Sequence, residues 1–263
     1  MTRLHLDFGC GSLKLAGTID QAPATTGLLI VTGGNEIRSG AFSGQAHLAA
    51  RIAAKGFPVF RFDRRGVGDS EGENRGFRRS RRDIESALEA FRALAPQIER
   101  VIGFGNCDAA SALMLMGGTG FDGLVLSNPW TIEEDVATDA ADGTPPPAVI
   151  RARYAEKLKK PGEWARLFKG GVDLRKLARG LFRSVAPPET SSSLAEEMRE
   201  GLNGFEGPVR ILLATADRTA QVFETHWQGD KSCIARCSGA GHAYVDPAHR
   251  KWLEEQVLAA LRS

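Results

Sequence analysis

No stretch of this 263-residue chain approaches the roughly 18 consecutive apolar residues of a membrane-spanning helix. The longest apolar runs, such as Gly27-Leu28-Leu29-Ile30-Val31, have the length of a strand. Cysteine is scarce. Four residues, Cys10, Cys107, Cys233 and Cys237, are too few for a disulfide-stapled scaffold, so each is read from its own surroundings. Charge of one sign is not in excess either: 34 basic and 32 acidic residues leave a net charge of +2, which gives no electrostatic case for a nucleic-acid or membrane-surface binder. Met1-Thr2-Arg3-Leu4-His5 has no long apolar core of a signal peptide, and the expectation is a cytoplasmic protein with reduced thiols. What the chain does have is the composition of a globular protein, with 42% hydrophobic residues, and enough length to bury a core. It also carries 30 glycines, about 11% of the chain against a background of roughly 7%.

The first 130 residues alternate strand and helix signals. Residues 13–19, 27–32, 57–62, 101–104 and 124–126 read as strands. Residues 43–55 read as a helix with Ser43 as a possible cap, residues 80–95 as a helix with Ile84, Leu88, Phe91 and Leu94 on one face, and residues 109–116 as a third. Such alternation predicts a mainly parallel sheet covered on both faces. Residues 130–205 break the pattern, with a Pro145-Pro146-Pro147 run, helical patches and Ser191-Ser192-Ser193 but no strand. Alternation resumes with a strand at 209–213, a helix near 219–228, a short strand near 232–237 and a last helix over 247–262. The expectation is a core built from residues 1–129 and 206–263, with a helical lid inserted at 130–205.

The chemistry concentrates at three places. Val101-Ile102-Gly103-Phe104-Gly105-Asn106-Cys107-Asp108-Ala109-Ala110 is a strand, then small-x-Cys-x-small, then a helix. This is the layout of a nucleophile elbow, in which small neighbours are needed because the turn is sharp. The helix N-terminus behind Cys107 favours thiolate. A thiol nucleophile needs a base and the base an orienting acid. His242, in the small-residue loop Ser238-Gly239-Ala240-Gly241-His242-Ala243, follows in the chain order expected for such a triad; His226 and His249 compete less well. Asp217 follows directly on the strand Val209–Leu213 and is the candidate acid, its plainer use being to cap the next helix. An acyl intermediate further needs two N–H donors. One is the amide of Asp108. The other is expected from Thr32-Gly33-Gly34-Asn35, with Asn35 preferred to Gly34.

Other readings are weaker. The segment from Arg61 to Gly72 offers no nucleophile or base and reads as a tightly hydrogen-bonded loop beside the oxyanion side. Arg75, Arg78, Arg79, Arg81 and Arg82 read mainly as a solvated loop and helix start. No dinucleotide fingerprint or phosphate loop is present, Cys233, Cys237 and His242 lack a fourth ligand, and neither cofactor nor metal is expected.

Taken together, the chain resembles the α/β-hydrolase superfamily over nearly its whole length. More narrowly, it is similar to the exosortase A system-associated hydrolases, type 1. The resemblance rests on Gly33-Gly34, on Gly56-Phe57-Pro58-Val59-Phe60-Arg61-Phe62-Asp63 running into Arg65-Gly66-Val67-Gly68-Asp69-Ser70-Glu71-Gly72, on Gly105-Asn106-Cys107-Asp108-Ala109-Ala110, on Ser127-Asn128-Pro129-Trp130 and on Asp217-Arg218-Thr219-Ala220. It implies an eight-stranded, mostly parallel sheet flanked by helices, and a hydrolase linked to exopolysaccharide production and exosortase protein sorting. The expected reaction is hydrolysis of an ester or thioester through Cys107, His242 and Asp217 on a small acyl substrate. Transfer of the acyl group to a sugar or amine, and a non-catalytic binding module on the same fold, are the alternatives.

Overall fold

The computed structural model describes residues 2–132 and 193–263. Eight strands form one mixed sheet: β1 (Thr2–Cys10), β2 (Leu13–Gln21), β3 (Thr26–Val31), β4 (Val59–Phe62), β5 (Arg100–Asn106), β6 (Gly123–Ser127), β7 (Val209–Ala214) and β8 (Ile234–Cys237). Their order is β1-β2-β4-β3-β5-β6-β7-β8. The β1–β2 and β2–β4 pairs are antiparallel and all others parallel. The described helices are α1 (Gly44–Ala54), α2 (Arg81–Leu94), α3 (Asp108–Leu115), α4 (Ser193–Leu202), α5 (Arg218–His226) and α6 (Pro247–Arg262), with short 3-10 turns at Ala41–Ser43 and Phe77–Arg79.

The central strands are largely apolar because both faces are covered, with Arg61 of β4 a buried exception. In β3 the side chains split by period two. Leu29 and Val31 join a core cluster with Ile84 and Phe91 of α2, Leu113 of α3, Leu194 and Met198 of α4, and Phe223 of α5. Leu28 and Ile30 face the opposite way, toward Leu48 and Ile52 of α1 and Val257 and Leu261 of α6. Hence, among the described helices, two cover one face of the sheet and four the other. Among the described residues, no helix is long and apolar enough to cross a membrane.

Three details differ from the sequence reading. β1 was not anticipated, yet it pairs along its full length with β2, from Thr2↔Gln21 to Cys10↔Leu13, through a tight turn at Gly11. Ser43 does not cap α1 through its side chain and takes a left-handed conformation, φ 54. Within the stretch expected to form the lid, α4 packs on the sheet's own core through Leu194, Ala195 and Met198; residues 133–192 of that stretch lie outside the described residues.

Two of the five arginines of the run are tied to carboxylates. Arg78 bonds Glu197 of α4, and Arg81 bonds Glu85 one turn along α2. Arg65 pairs with the buried Asp83, beside the buried thiol of Cys10.

Candidate active site

The parallel strands bring the candidate residues together at their C-terminal ends, where open α/β sheets place their ligands. β5 ends in Asn106 and α3 begins at Asp108, so the whole turn between them is Cys107. Its backbone sits at φ 64, ψ −131. A side-chain-bearing residue held there costs on the order of 1–3 kcal/mol and persists only when its surroundings over-determine it. They do so here. The Cys107 N–H donates to Ser127 O at 3.0 Å, and the Cys107 carbonyl accepts from Ala110 N at 3.1 Å and from Trp130 N at 3.3 Å.

Small neighbours are a geometric requirement of this turn. A Cβ on Gly105 would lie 2.7 Å from the backbone of Ala109 and Ala110, and one on Gly33 would lie 2.5 Å from Asn106 O and 3.3 Å from Cys107 Cβ. Ala109 fills the place of the expected second glycine and is fully buried. Gly105→Ala is therefore expected to destabilise the fold by about 1–3 kcal/mol, the usual range for overpacking. A urea midpoint unchanged from wild type would show that the elbow tolerates the methyl.

His242 and Asp217 are brought together by the loops that follow β8 and β7. His242 Nδ1 lies 2.8 Å from Asp217 Oδ2. The same Asp217 oxygen accepts the amide of Ala220 at 3.3 Å, so Asp217 both caps α5 and holds the imidazole. Its turn is laced to the histidine loop by Ala216 N to Ala240 O, 2.9 Å, and by Gly239 N to Thr215 Oγ1, 2.8 Å. The Asp217 carboxylate, and after it a hydrogen bond with Cys107, raise the His242 pKa to about 10 against opposing burial. His242 thus holds its proton more firmly than a free imidazole does, because the Asp217 carboxylate and Cys107 both favour its charged form.

This has a consequence for stability. A pKa raised from 6.5 to about 10 contributes stability that is fully present below pH 6.5 and is lost as pH rises through about 10. The urea midpoint of wild type should therefore fall toward that of His242→Gln between those limits. Parallel curves over that window would contradict the assignment.

The other histidines and cysteines stand apart. His226 Nδ1 is bonded to Val222 O within α5, at 2.9 Å, and His249 is half-buried in the first turn of α6. Burial raises the thiol pKa of both Cys233 and Cys237.

The oxyanion side departs from the sequence preference. Asn35 is exposed, and its side chain accepts from Asn74 Nδ2 at 2.7 Å. Gly34 is the residue turned toward the elbow: its N–H donates to the Asp108 carboxylate at 2.7 Å. Arg64 donates to Gly34 O and lies 3.3 Å from Asp108 Oδ2. The loop carrying Gly34 is held farther along by Asp63, whose carboxylate accepts both the backbone N–H and the guanidinium of Arg38, while Arg61 donates to Arg38 O at 2.6 Å.

Three residues absent from the sequence-derived site now join it. Asn106 and Asn128 each donate an amide N–H to His242 O at 3.4 Å, and Asn128 Oδ1 accepts the Ala214 amide at 2.8 Å. Asn128 is fully buried at φ 44. The third is Arg64. The Asn128-Pro129 step after a strand was a local signal that a special turn stood there. Nothing in the sequence near Arg64 pointed toward Asp108.

A strained cysteine between a parallel strand and a helix, facing a histidine and an aspartate from later strand ends, places the chain among α/β proteins built around a nucleophile elbow. The profile of the alpha/beta hydrolase family matches residues 28–256, and the chain belongs to that family. No curated protein matches it in sequence. Several solved structures share its fold at low identity. The Pyrococcus furiosus esterase Pf2001 superposes with a TM-score of 0.65 at 14% identity, over 99% of this chain and 92% of that one. The alpha/beta hydrolase GrgF from Penicillium sp. sh18 gives 0.64 at 15%, over 100% and 98%. Est1E from Butyrivibrio proteoclasticus, solved with ferulic acid bound, gives 0.61 at 13%, over 98% and 100%.

Proposed function

We propose that the protein hydrolyses carboxylic esters or thioesters through a Cys107–His242–Asp217 triad. The observation that carries this reading is His242, bonded to Asp217 at 2.8 Å, with a pKa raised by that carboxylate and by Cys107 at the strained elbow. The esterase activity named for Pf2001, and the ferulic acid held by Est1E, are in keeping with an acyl substrate.

The chemistry follows from the protonation state. The Cys107 thiolate attacks the acyl carbon while the carbonyl electrons move to oxygen. The amide of Asp108, and that of Gly34 rather than Asn35, hold this oxyanion. The tetrahedral adduct expels the alkoxide or thiolate, which takes the proton of His242, and the acyl group remains on sulfur. His242, now neutral, removes a proton from water; the hydroxide attacks the thioester, the thiolate leaves, and the acid departs. Because a thiolate is itself a good leaving group, the first adduct reverts readily unless the substrate's leaving group is as good. This favours activated esters and thioesters over amides.

The same reading carries the narrower proposal of a role beside exopolysaccharide production and exosortase sorting, which rests on the sequence resemblance, and of a cytoplasmic setting for the free thiols. Stopped-flow mixing with p-nitrophenyl acetate tests the chemistry. A burst of p-nitrophenol equal to the enzyme concentration, with an acetyl mass increment on the Cys107 peptide, is expected. Turnover with no acyl-enzyme would overturn the covalent route.

A further inference from the structure

The amide of Gly34 is not available to a substrate in this structure, because the Asp108 carboxylate is bonded to it at 2.7 Å. Asp108 is at once the residue whose backbone N–H is the other oxyanion donor and the residue whose side chain covers this one. A carboxylate oxygen and a developing oxyanion are competing acceptors for a single N–H, and two anions cannot share it. Steric room confirms how close the carboxylate stands to the reaction centre: a Cβ on Gly33 would lie 3.0 Å from Asp108 Oδ1 and 3.3 Å from Cys107 Cβ.

Arg64 completes the arrangement. It is 3% exposed, it fastens Gly34 through its carbonyl, and its Nη2 stands 3.3 Å and 3.5 Å from the two Asp108 oxygens. Its other terminal nitrogen, Nη1, is buried without a hydrogen-bond partner. A guanidinium prefers to meet a carboxylate with two parallel N–H donors. Here it meets Asp108 with one nitrogen only, since the carboxylate's other acceptor site is spent on Gly34.

We propose that Asp108 and Arg64 form a gate on the oxyanion hole, in which the Asp108 carboxylate occupies the Gly34 amide at rest and turns onto both nitrogens of Arg64 when an acyl oxygen takes its place. This rests on the acyl chemistry proposed above and adds a specificity-determining pair to it. No proton moves in the exchange; one N–H acceptor replaces another, and the unpaired Nη1 supplies the bond that Asp108 gives up. The gate opposes weakly polarised carbonyls, which cannot displace a carboxylate, and admits those that build negative charge on oxygen early. It therefore sharpens the preference for activated esters and thioesters at the tetrahedral step.

The test compares two reactions of one sulfur. Acylation of Cys107 by p-nitrophenyl acetate passes through an oxyanion; alkylation by iodoacetamide does not. Dividing the first rate constant by the second removes the effect of the substitution on thiol reactivity itself. Asp108→Ala is expected to raise this ratio about tenfold over wild type, and Asp108→Asn less, because a neutral amide oxygen competes more weakly. Arg64→Met is expected to lower the ratio about tenfold by stranding the carboxylate on Gly34, and the double variant Arg64→Met/Asp108→Ala to restore it. A ratio in Asp108→Ala within twofold of wild type, or below it, overturns the gate even if Arg64→Met fails to fold. If wild type and Asp108→Ala are both alkylated at Cys107 but neither is acylated, the acyl chemistry itself fails and the gate falls with it. Those two failures are distinguished by whether an acetyl group is found on sulfur.

Discussion

Cys107→Ala is expected to lower kcat/KM for an activated ester by at least about ten thousand-fold, the scale of losses when a triad nucleophile is removed. The argument is local. Among the described cysteines, Cys107 alone stands on a strained turn and raises the pKa of His242. Cys10 is buried, with its sulfur 3.4 Å from both Asp83 and Arg65, and burial raises the thiol pKa of Cys233 and Cys237. Changing any of these three to alanine should leave turnover within a few-fold of wild type. Cys107→Ser is the sharper variant. Serine needs a neutral histidine to take its proton, and the Asp217 carboxylate, the largest cause of the raised His242 pKa, remains in this variant. Serine should therefore be nearly as poor as alanine near pH 7. Steady-state rates for the four alanine variants and Cys107→Ser settle this. A serine variant that keeps a tenth of wild-type activity at pH 7 would show that His242 is free to act as a base there.

Asp63→Ala is expected to cost about 3 kcal/mol of stability and most of the activity of whatever protein remains folded. Removing one partner of a buried ion pair leaves the other charge uncompensated, at a typical cost of about 3–5 kcal/mol; the low end applies because Arg38 keeps Asp69 at 3.1 Å. Asp63 is fully buried. Its carboxylate accepts the Arg38 amide and guanidinium and the Asp69 amide, so it closes the loop after β3 onto the loop after β4. Gly34, the proposed oxyanion donor, sits four residues before Arg38, and such a donor displaced by an ångström loses much of its value. Asp63→Asn keeps acceptor capacity and should recover part of both losses. Urea melts read the stability. Burst rates per folded active site read the donor. A full burst rate in Asp63→Ala would mean that the oxyanion loop holds its shape without this anchor.

The sheet was legible in the sequence because its strands are buried on both faces. An unbroken apolar run such as Leu28-Leu29-Ile30-Val31, bounded by polar turns, has few other solutions. β1 also left a trace, the alternation Leu4, Leu6, Phe8, Cys10, but its outer half is exposed and its charged neighbours disguise a strand that depends on β2 for pairing. The elbow was legible for a steric reason. Only a very small residue at position 105 lets β5 turn into α3, and that requirement is written into the local sequence.

The sequence by itself determined where the candidate groups fall: one cysteine at a strand-to-helix turn, an aspartate shortly after a strand, and a histidine in a small-residue loop, in that order. These are local facts, set by how a few consecutive residues can bend. Tertiary structure decided which partners those groups have. It made Asp217 both a helix cap and the holder of His242, bonds between residues 3 and 25 positions apart. It turned Gly34 rather than Asn35 toward Asp108, and it set Asp108 against Gly34 and Arg64, 74 and 44 positions away. Hydrogen-bond partners so distant in sequence are chosen by strand order and loop register, and no local pattern along the chain encodes them.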